Sequence, residues 1–326
     1  MTLLEVRDLH VEFSTRDGVA RAVNGVTYGV EAGETLAVLG ESGSGKSVTA
    51  QAVMGILDSP PGRITGGEIL FEGRDLLRLP EEERRRLRGA RMAMIFQDAL
   101  SALNPVLSVG YQLAEMFRVH QKASRREAAE KAVELMDRVR IPSARARAGD
   151  YPHQFSGGMR QRIMIAMALA LEPRLIIADE PTTALDVTVQ AQVMELLADL
   201  QREYQMGLIL ITHDLGVVAD VADRIAVMYA GHIVESAPVR ELYGEPGHPY
   251  TKGLLDSVPR LDQKGRELDA IKGLPPNLLR VPPGCAFHPR CPMARGVCRR
   301  DAPPLQQIGA ERSSACHFWK ELLDAR

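Results

Sequence analysis

The first 284 residues of this 326-residue chain contain no cysteine, so no disulfide can staple that part of the molecule. A basic excess is also missing. Lys plus Arg number 40 against 42 Asp plus Glu, a formal net charge of -2. Nothing is left over to hold a phosphate backbone in bulk, which argues against nucleic acid as a partner. The charged runs RREAAEK and EEERRRLR mix both signs and read as solvated helix faces. Long apolar runs are absent too. The longest lies within IMIAMALAL, far too short to span a bilayer. The stretch MTLLEVRDLHVEF carries charge from Glu5 onward and has no basic segment followed by a long apolar one. No signal peptide is expected, and the protein reads as cytosolic, able to reach a membrane by docking to an integral partner.

What remains is an ordinary globular composition, 45% hydrophobic and 25% charged, enough for one large domain or two moderate ones. Short apolar runs rich in β-formers recur: TLAVLG, GEILF, RMAMIF, LIIAD, LILIT and RIAVMY. Helix-like stretches such as VTVQAQVMELLADLQREY lie between several of them, which predicts an α/β fold with a parallel sheet. The early segment, LLEVRDLHVEF to AVNGVTYGVEAGE, alternates more and reads as antiparallel strands added to that sheet. Residues 98–171 lack convincing strands and read as a helical insertion. Within them Ser124 and Glu127 form a capping-box pattern, Ala128, Ala132, Leu135, Met136 and Val139 follow at helical spacing, and Pro142 is expected to end the helix. After about Glu235, Pro and Gly rise and periodicity fades, which predicts a loop-rich appendage over 236–326 behind a main domain of 1–235.

GESGSGKS, from Gly40 to Ser47, fits G-x-x-x-x-G-K-S in full, after the apolar TLAVL and before a plausible helix, SVTAQAVMGIL. Such a loop curls backbone N–H groups around phosphate oxygens, with the positive end of a helix behind it. Lys46 is placed to reach β- and γ-phosphates and Ser47 to ligate Mg²⁺. LIIADE ends a buried strand with two carboxylates at the edge where open α/β sheets bind ligands. Asp179 is the expected Mg²⁺ partner, and Glu180 the group that polarises the attacking water. An Asp-Glu pair after a strand also serves as a helix cap, so this signal gains its weight from the phosphate loop.

FSGGMRQR (Phe155 to Arg162) resembles the signature motif of ABC ATPases, and TTALD (Thr182 to Asp186) resembles their D-loop. His213 after LILIT resembles their switch histidine, and Gln97 in MIFQD their Q-loop glutamine. MIFQDALSALNP, YPHQFSGGMRQRIMIAMALA, ADEPTTALDVTVQAQ and HPYTKGLL are similar to the ATP-binding subunits of dipeptide/oligopeptide ABC importers. The resemblance implies a P-loop NTPase core with an antiparallel β subdomain, a helical subdomain and a C-terminal extension. It implies an ATPase that powers solute import, with ATP and Mg²⁺ as ligands. Gly40, Ser42, Gly43, Ser44, Gly45, Lys46, Ser47 and Val48 would hold the nucleotide, with Phe13 the candidate to stack the adenine. Gln97 would join Ser47 and Asp179 at Mg²⁺, His213 would contact the γ-phosphate, and Ser156, Gly157, Gly158 and Asp186 would face the nucleotide of a second ATPase subunit, a paralogue in most relatives. Further implied partners are two integral-membrane permeases and an extracytoplasmic substrate-binding protein, which places the chain on the cytoplasmic face of the cell membrane. The solute stays open among peptides, nickel and glycosides. A soluble, non-transport ABC ATPase is the competing class, disfavoured because such chains usually carry two cassettes. Phe155, Met159 and Ala99 depart from the residues common at their positions in the family.

All four cysteines fall in the appendage, at Cys285, Cys291, Cys298 and Cys316. The spacing lacks the paired C-x₂₋₄-C knuckles usual for structural zinc, although His288 and His317 keep a mixed Cys/His zinc site open. Four thiolates at uneven spacing suit an iron–sulfur cluster. The resemblance adds that some importer ATPases with this extension carry a 4Fe-4S cluster on four such cysteines.

Overall fold

The computed structural model describes residues 2–183, 185–257 and 271–324. Residue 184, inside the TTALD stretch, lies outside them. Two units alternate along the chain, one built from Thr2–Gly29, Thr35–Leu77 and Thr212–Arg326, the other from Val30–Glu34 and Arg78–Ile211.

The first unit holds two sheets. Strands β1 (Thr2–Thr15), β2 (Gly18–Glu31), β4 (Gly62–Phe71) and β5 (Arg74–Asp75) form a sheet of order β2-β1-β4-β5. The antiparallel strands are thus a sheet of their own and not additions to the parallel one. The reason is visible in β1, where Leu4, Val6, Leu9 and Val11 are fully buried while the polar residues between them are exposed (Arg7, Asp8) or half-buried (Glu5, His10). One face is dry and the other wet, as suits an antiparallel sheet rather than a strand covered on both sides. The second sheet of this unit contains β3 (Thr35–Leu39), whose five residues are all buried. It runs parallel to β9 (Arg224–Tyr229), which pairs antiparallel with β10 (His232–Pro238). Two short strands of the appendage, β11 (Gln306–Gln307) and β12 (Ser313–Ser314), continue from β10, with Glu235 opposite Ser314.

The second unit centres on parallel strands β6 (Met92–Ile95), β7 (Leu175–Asp179) and β8 (Gly207–Thr212). Every residue of β7 and β8 is buried, which accounts for their unbroken apolar sequence. Burying each Leu or Ile side chain contributes roughly 1.5–3 kcal/mol. The helix over Val187–Tyr204 has the bounds expected from its pattern, with Val193, Met194, Leu196, Leu197 and Leu200 as its buried stripe. No strand interrupts residues 98–171, where the longer helices are Val109–Gln121, Arg125–Arg138 and Gly157–Leu169. Ser124 caps the second of these by accepting from the Glu127 N–H, and Ala128, Ala132, Leu135 and Met136 form its buried face. Pro142 does not end this helix. It stops at Arg138, and the chain then turns through left-handed backbone at Arg140. Among the described residues no helix is long and apolar enough to cross a membrane.

Candidate functional site

In the first unit β3 delivers the chain at Leu39 into the loop GESGSGK. Gly40 has φ 154, and a Cβ there would lie 2.3 Å from the Met228 carbonyl oxygen, so only glycine lets the loop leave the sheet this tightly. The helix Lys46–Met54 follows, capped by Gly45. Ser42 and Gly43 are exposed, while Lys46 is only 5% exposed. Its Nζ donates to the carbonyls of Gly40 at 2.7 Å and Glu41 at 3.0 Å, so the ammonium lies across the loop it belongs to. The Ser44 hydroxyl is buried without a hydrogen-bond partner among the described residues. A loop with an orphaned hydroxyl, an enclosed ammonium and a helix N-terminus fits a polyanionic phosphate chain. Ser47 and Val48 are half-buried in the first helical turn. His213, exposed just beyond β8, shares a cavity of about 320 Å³ with Leu39, Gly40 and Glu41. Phe13 is half-buried on β1 opposite Gly62, its ring edge 2.9 Å from where a Gly62 Cβ would stand.

In the second unit β7 ends at Asp179, only 6% exposed, and the chain turns at Glu180 with a left-handed φ of 47. The Glu180 N–H donates to the Ile211 carbonyl at 2.8 Å, which pins this turn to β8. One carboxylate oxygen of Glu180 accepts from Gln97 Nε2 and from the Thr183 hydroxyl, both at 3.0 Å. Two donors on one oxygen fix the plane of the carboxylate. The sequence points to Gln97 as a Mg²⁺ ligand and a sensor of closure, but not to its bond with Glu180, and it does not single out Thr183. The only available signal was that Thr183 lies three residues past Glu180.

The Ser156-Gly157-Gly158 turn opens the helix Gly157–Leu169, with the Ser156 hydroxyl accepting from the Met159 N–H at 3.4 Å. Ser156 and Gly157 are exposed, so the N-terminus of a 13-residue helix faces outward. A Cβ on Gly158 would lie 2.5 Å from Val189 Cγ1. Asp186 caps the Val187–Tyr204 helix by accepting from Val189 N–H at 2.9 Å. The two departures at the ends of this motif have a common contact. The Arg147 guanidinium stacks over the buried Phe155 ring at 4.2 Å and donates to Met159 Sδ at 3.2 Å, while also bonding the Asp150 carboxylate.

The four cysteines line one small cavity together with His248, His288 and His317. The Cys285 N–H donates to the Cys298 carbonyl at 2.8 Å, closing the loop between them. Burial pushes the thiols of Cys291 and Cys316 up to about 11, and that of Cys285 upward as well, with repulsion from neighbouring thiols adding to each. His288 Nδ1 and His317 Nε2 each lie 2.9 Å from a backbone carbonyl, of Cys285 and Asp301 respectively. Among the described residues no three Cys, His, Asp or Glu side chains are arranged to hold a single metal ion.

A phosphate loop, a strand ending in Asp-Glu, a Ser-Gly-Gly helix start and a histidine after the next strand define an ABC ATPase. Residues 23–183 match the ABC transporter family, and residues 234–298 match the C-terminal region of oligopeptide/dipeptide transporters. The ATP-binding cassette MJ0796, solved as a post-hydrolysis dimer bound to ADP and Pi, superposes with a TM-score of 0.65 at 26% identity, covering 73% of this chain and 99% of that one. The oligopeptide transport ATP-binding protein OppD of Salmonella typhimurium is 54% identical over 314 residues, 96% of this chain and 93% of its own length. The dipeptide transport ATP-binding protein DppD of Bacillus subtilis is 54% identical over 301 residues, 92% of this chain and 90% of its own. The chain belongs to the family of oligopeptide and dipeptide transport ATP-binding proteins.

Proposed function

We propose that this chain hydrolyses ATP to power an importer of di- or oligopeptides, working peripherally on the cytoplasmic face of the membrane. The carrying observation is that the likeness to the oligopeptide transport ATP-binding protein OppD runs through 96% of the chain, and that to the dipeptide transport ATP-binding protein DppD through 92%. In this reading residues 1–235 are the motor, with 98–171 as its helical subdomain, and 236–326 are the extension. The backbone of Ser42 to Ser47, with Gly40 and Val48 at its ends, cradles the phosphates. Lys46 exchanges the carbonyls of Gly40 and Glu41 for β- and γ-phosphate oxygens. Phe13 stacks the adenine. Ser47, Asp179 and Gln97 are the residues that would hold Mg²⁺, which would supply charge neutralisation to the phosphates.

Glu180, its plane set by Gln97 and Thr183, orients water toward the γ-phosphorus. The new P–O bond forms to that water, the bridging P–O bond to the β-phosphate breaks, and the water's proton leaves with the phosphate. His213 contacts the γ-phosphate. Because Gln97 bonds Glu180 directly, a movement of Gln97 changes the catalytic carboxylate at once. Ser156, Gly157, Gly158 and Asp186 close over the nucleotide of a second ATPase subunit, a paralogue in this reading. ATP favours that closed pair and its products do not. The closure passes to two permease subunits fed by an extracytoplasmic binding protein. Exposed Phe96, Leu100, Val106 and Tyr111, in the segment around and after Gln97, supply apolar contact area for them.

Cys285, Cys291, Cys298 and Cys316 hold a 4Fe-4S cluster as a structural staple, with Zn²⁺ the alternative occupant. All four thiols line one cavity, as four ligands of one cluster would have to. The test of function is uptake of labelled oligopeptides into proteoliposomes holding the assembled importer. The reading expects uptake that requires ATP and is lost with Lys46→Ala. Peptide uptake that persists with Lys46→Ala overturns it.

A further inference from the structure

The appendage touches the phosphate loop at Glu41. The Arg290 guanidinium grips the Glu41 carboxylate in a two-pronged pair, at 2.5 and 2.9 Å. Arg290 is immediately beside Cys291, and its side chain is only 5% exposed. It lies against the Tyr229 ring and donates a further hydrogen bond from Nε to the Lys272 carbonyl at 3.2 Å. From the other side the Glu41 N–H donates to the Tyr250 hydroxyl at 2.9 Å. Tyr250 belongs to the HPYTKGLL stretch, which the ATPase chemistry leaves without a role. It is fully buried and packs 4.6 Å from Tyr229 and 5.3 Å from Phe287, measured between ring centres. Phe287 stands between Cys285 and Cys291 and meets Tyr229 edge-on at 5.2 Å. The carbonyl of the same Glu41 accepts from Lys46 Nζ.

Glu41 is therefore held by side chain, amide and carbonyl at once. Two of the three holds come from beyond residue 235, and the third is the phosphate-binding lysine. A bidentate arginine–carboxylate pair fixes both position and orientation, which a lysine cannot reproduce. A loop held in its binding shape loses less conformational freedom when ligand arrives.

We propose that Arg290 and Tyr250 are positioning residues for the phosphate loop, so that the four-cysteine appendage sets the chain's affinity for ATP through Glu41. This rests on the reading that the loop binds ATP. The cysteine loop that carries Arg290 and Phe287 shapes the nucleotide site without touching the nucleotide. Its influence is expected on binding rather than on the chemical step, because Arg290 and Tyr250 act on the loop through Glu41.

The test measures fluorescent ATP-analogue affinity of the full chain, and KM and kcat of the assembled importer, for Arg290→Gln, Arg290→Lys, Glu41→Gln and the double variant Glu41→Gln/Arg290→Gln. Arg290→Gln is expected to weaken nucleotide affinity about tenfold, about 1.4 kcal/mol, with KM rising in step and kcat within about twofold of the parent. Arg290→Lys falls between, and the double variant is no weaker than either single one, since both remove the same pair. Parent-like affinity in Arg290→Gln, or independent additive losses in the double variant, overturns the proposal. If Arg290→Gln fails to fold, Arg290→Lys decides alone, and unchanged affinity in it overturns the proposal. Failure of the underlying reading looks different, because the unmodified chain then binds no ATP analogue at all.

Discussion

Glu235 gives a prediction whose size follows from the structure. It lies on β10 opposite Ser314 of the appendage, with no exposed surface, and accepts from the Gly247 N–H at 2.6 Å. Burial pushes its carboxyl from the ordinary 4.5 to about 7, partly offset by Thr251, the Gly247 amide and Arg312. The folded chain thus keeps a proton on Glu235 across a range where the unfolded chain has released it. Stability from this group is full below about pH 4.5 and is lost as pH rises through about 7. The gap between the two values corresponds to about 3 kcal/mol. Glu235→Gln keeps the shape and the acceptor for Gly247 but cannot ionise. Denaturant unfolding of parent and variant between pH 5 and pH 8 should show the variant gaining on the parent as pH rises, by up to about 3 kcal/mol. A stability difference that stays constant with pH would refute the reasoning.

Two further outcomes concern the signature turn and the cysteines. Gly158→Ala drives a methyl to 2.5 Å from Val189 Cγ1 and should cost about 1–3 kcal/mol of stability along with at least about tenfold in ATPase rate. Adding Val189→Ala should restore most of both, and no recovery in the double variant would contradict the steric account. Anaerobically purified protein should hold about four iron atoms per chain and absorb broadly near roughly 400 nm, both lost in Cys291→Ser. Stoichiometric zinc without iron would sink the cluster.

Much of this molecule could be read from local pattern. Apolar runs such as LIIAD and LILIT are strands because they are buried throughout, and the Val187–Tyr204 helix shows its buried stripe at helical spacing. The end of the Arg125–Arg138 helix was less legible, because Pro142 is a louder signal than the left-handed turn at Arg140 that stops it. The antiparallel strands could be recognised, but a sequence does not say which sheet a strand joins. Least legible were contacts between distant positions. Gln97 and Glu180 are 83 residues apart, and Arg290 and Glu41 are 249 apart. Each carries a local pattern of its own, but only the fold shows that they meet. The departures at Phe155 and Met159 likewise made sense only once Arg147 was seen to contact both.

The central assignment is Glu180 as the group that orients the attacking water. The most direct measurement is ATP binding and turnover by Glu180→Gln in the assembled importer. The variant is expected to bind ATP at least as tightly as the parent, to hold it unhydrolysed with the two ATPase subunits closed, and to lose about 10²–10⁴ in turnover. Near-parent hydrolysis by Glu180→Gln would contradict it.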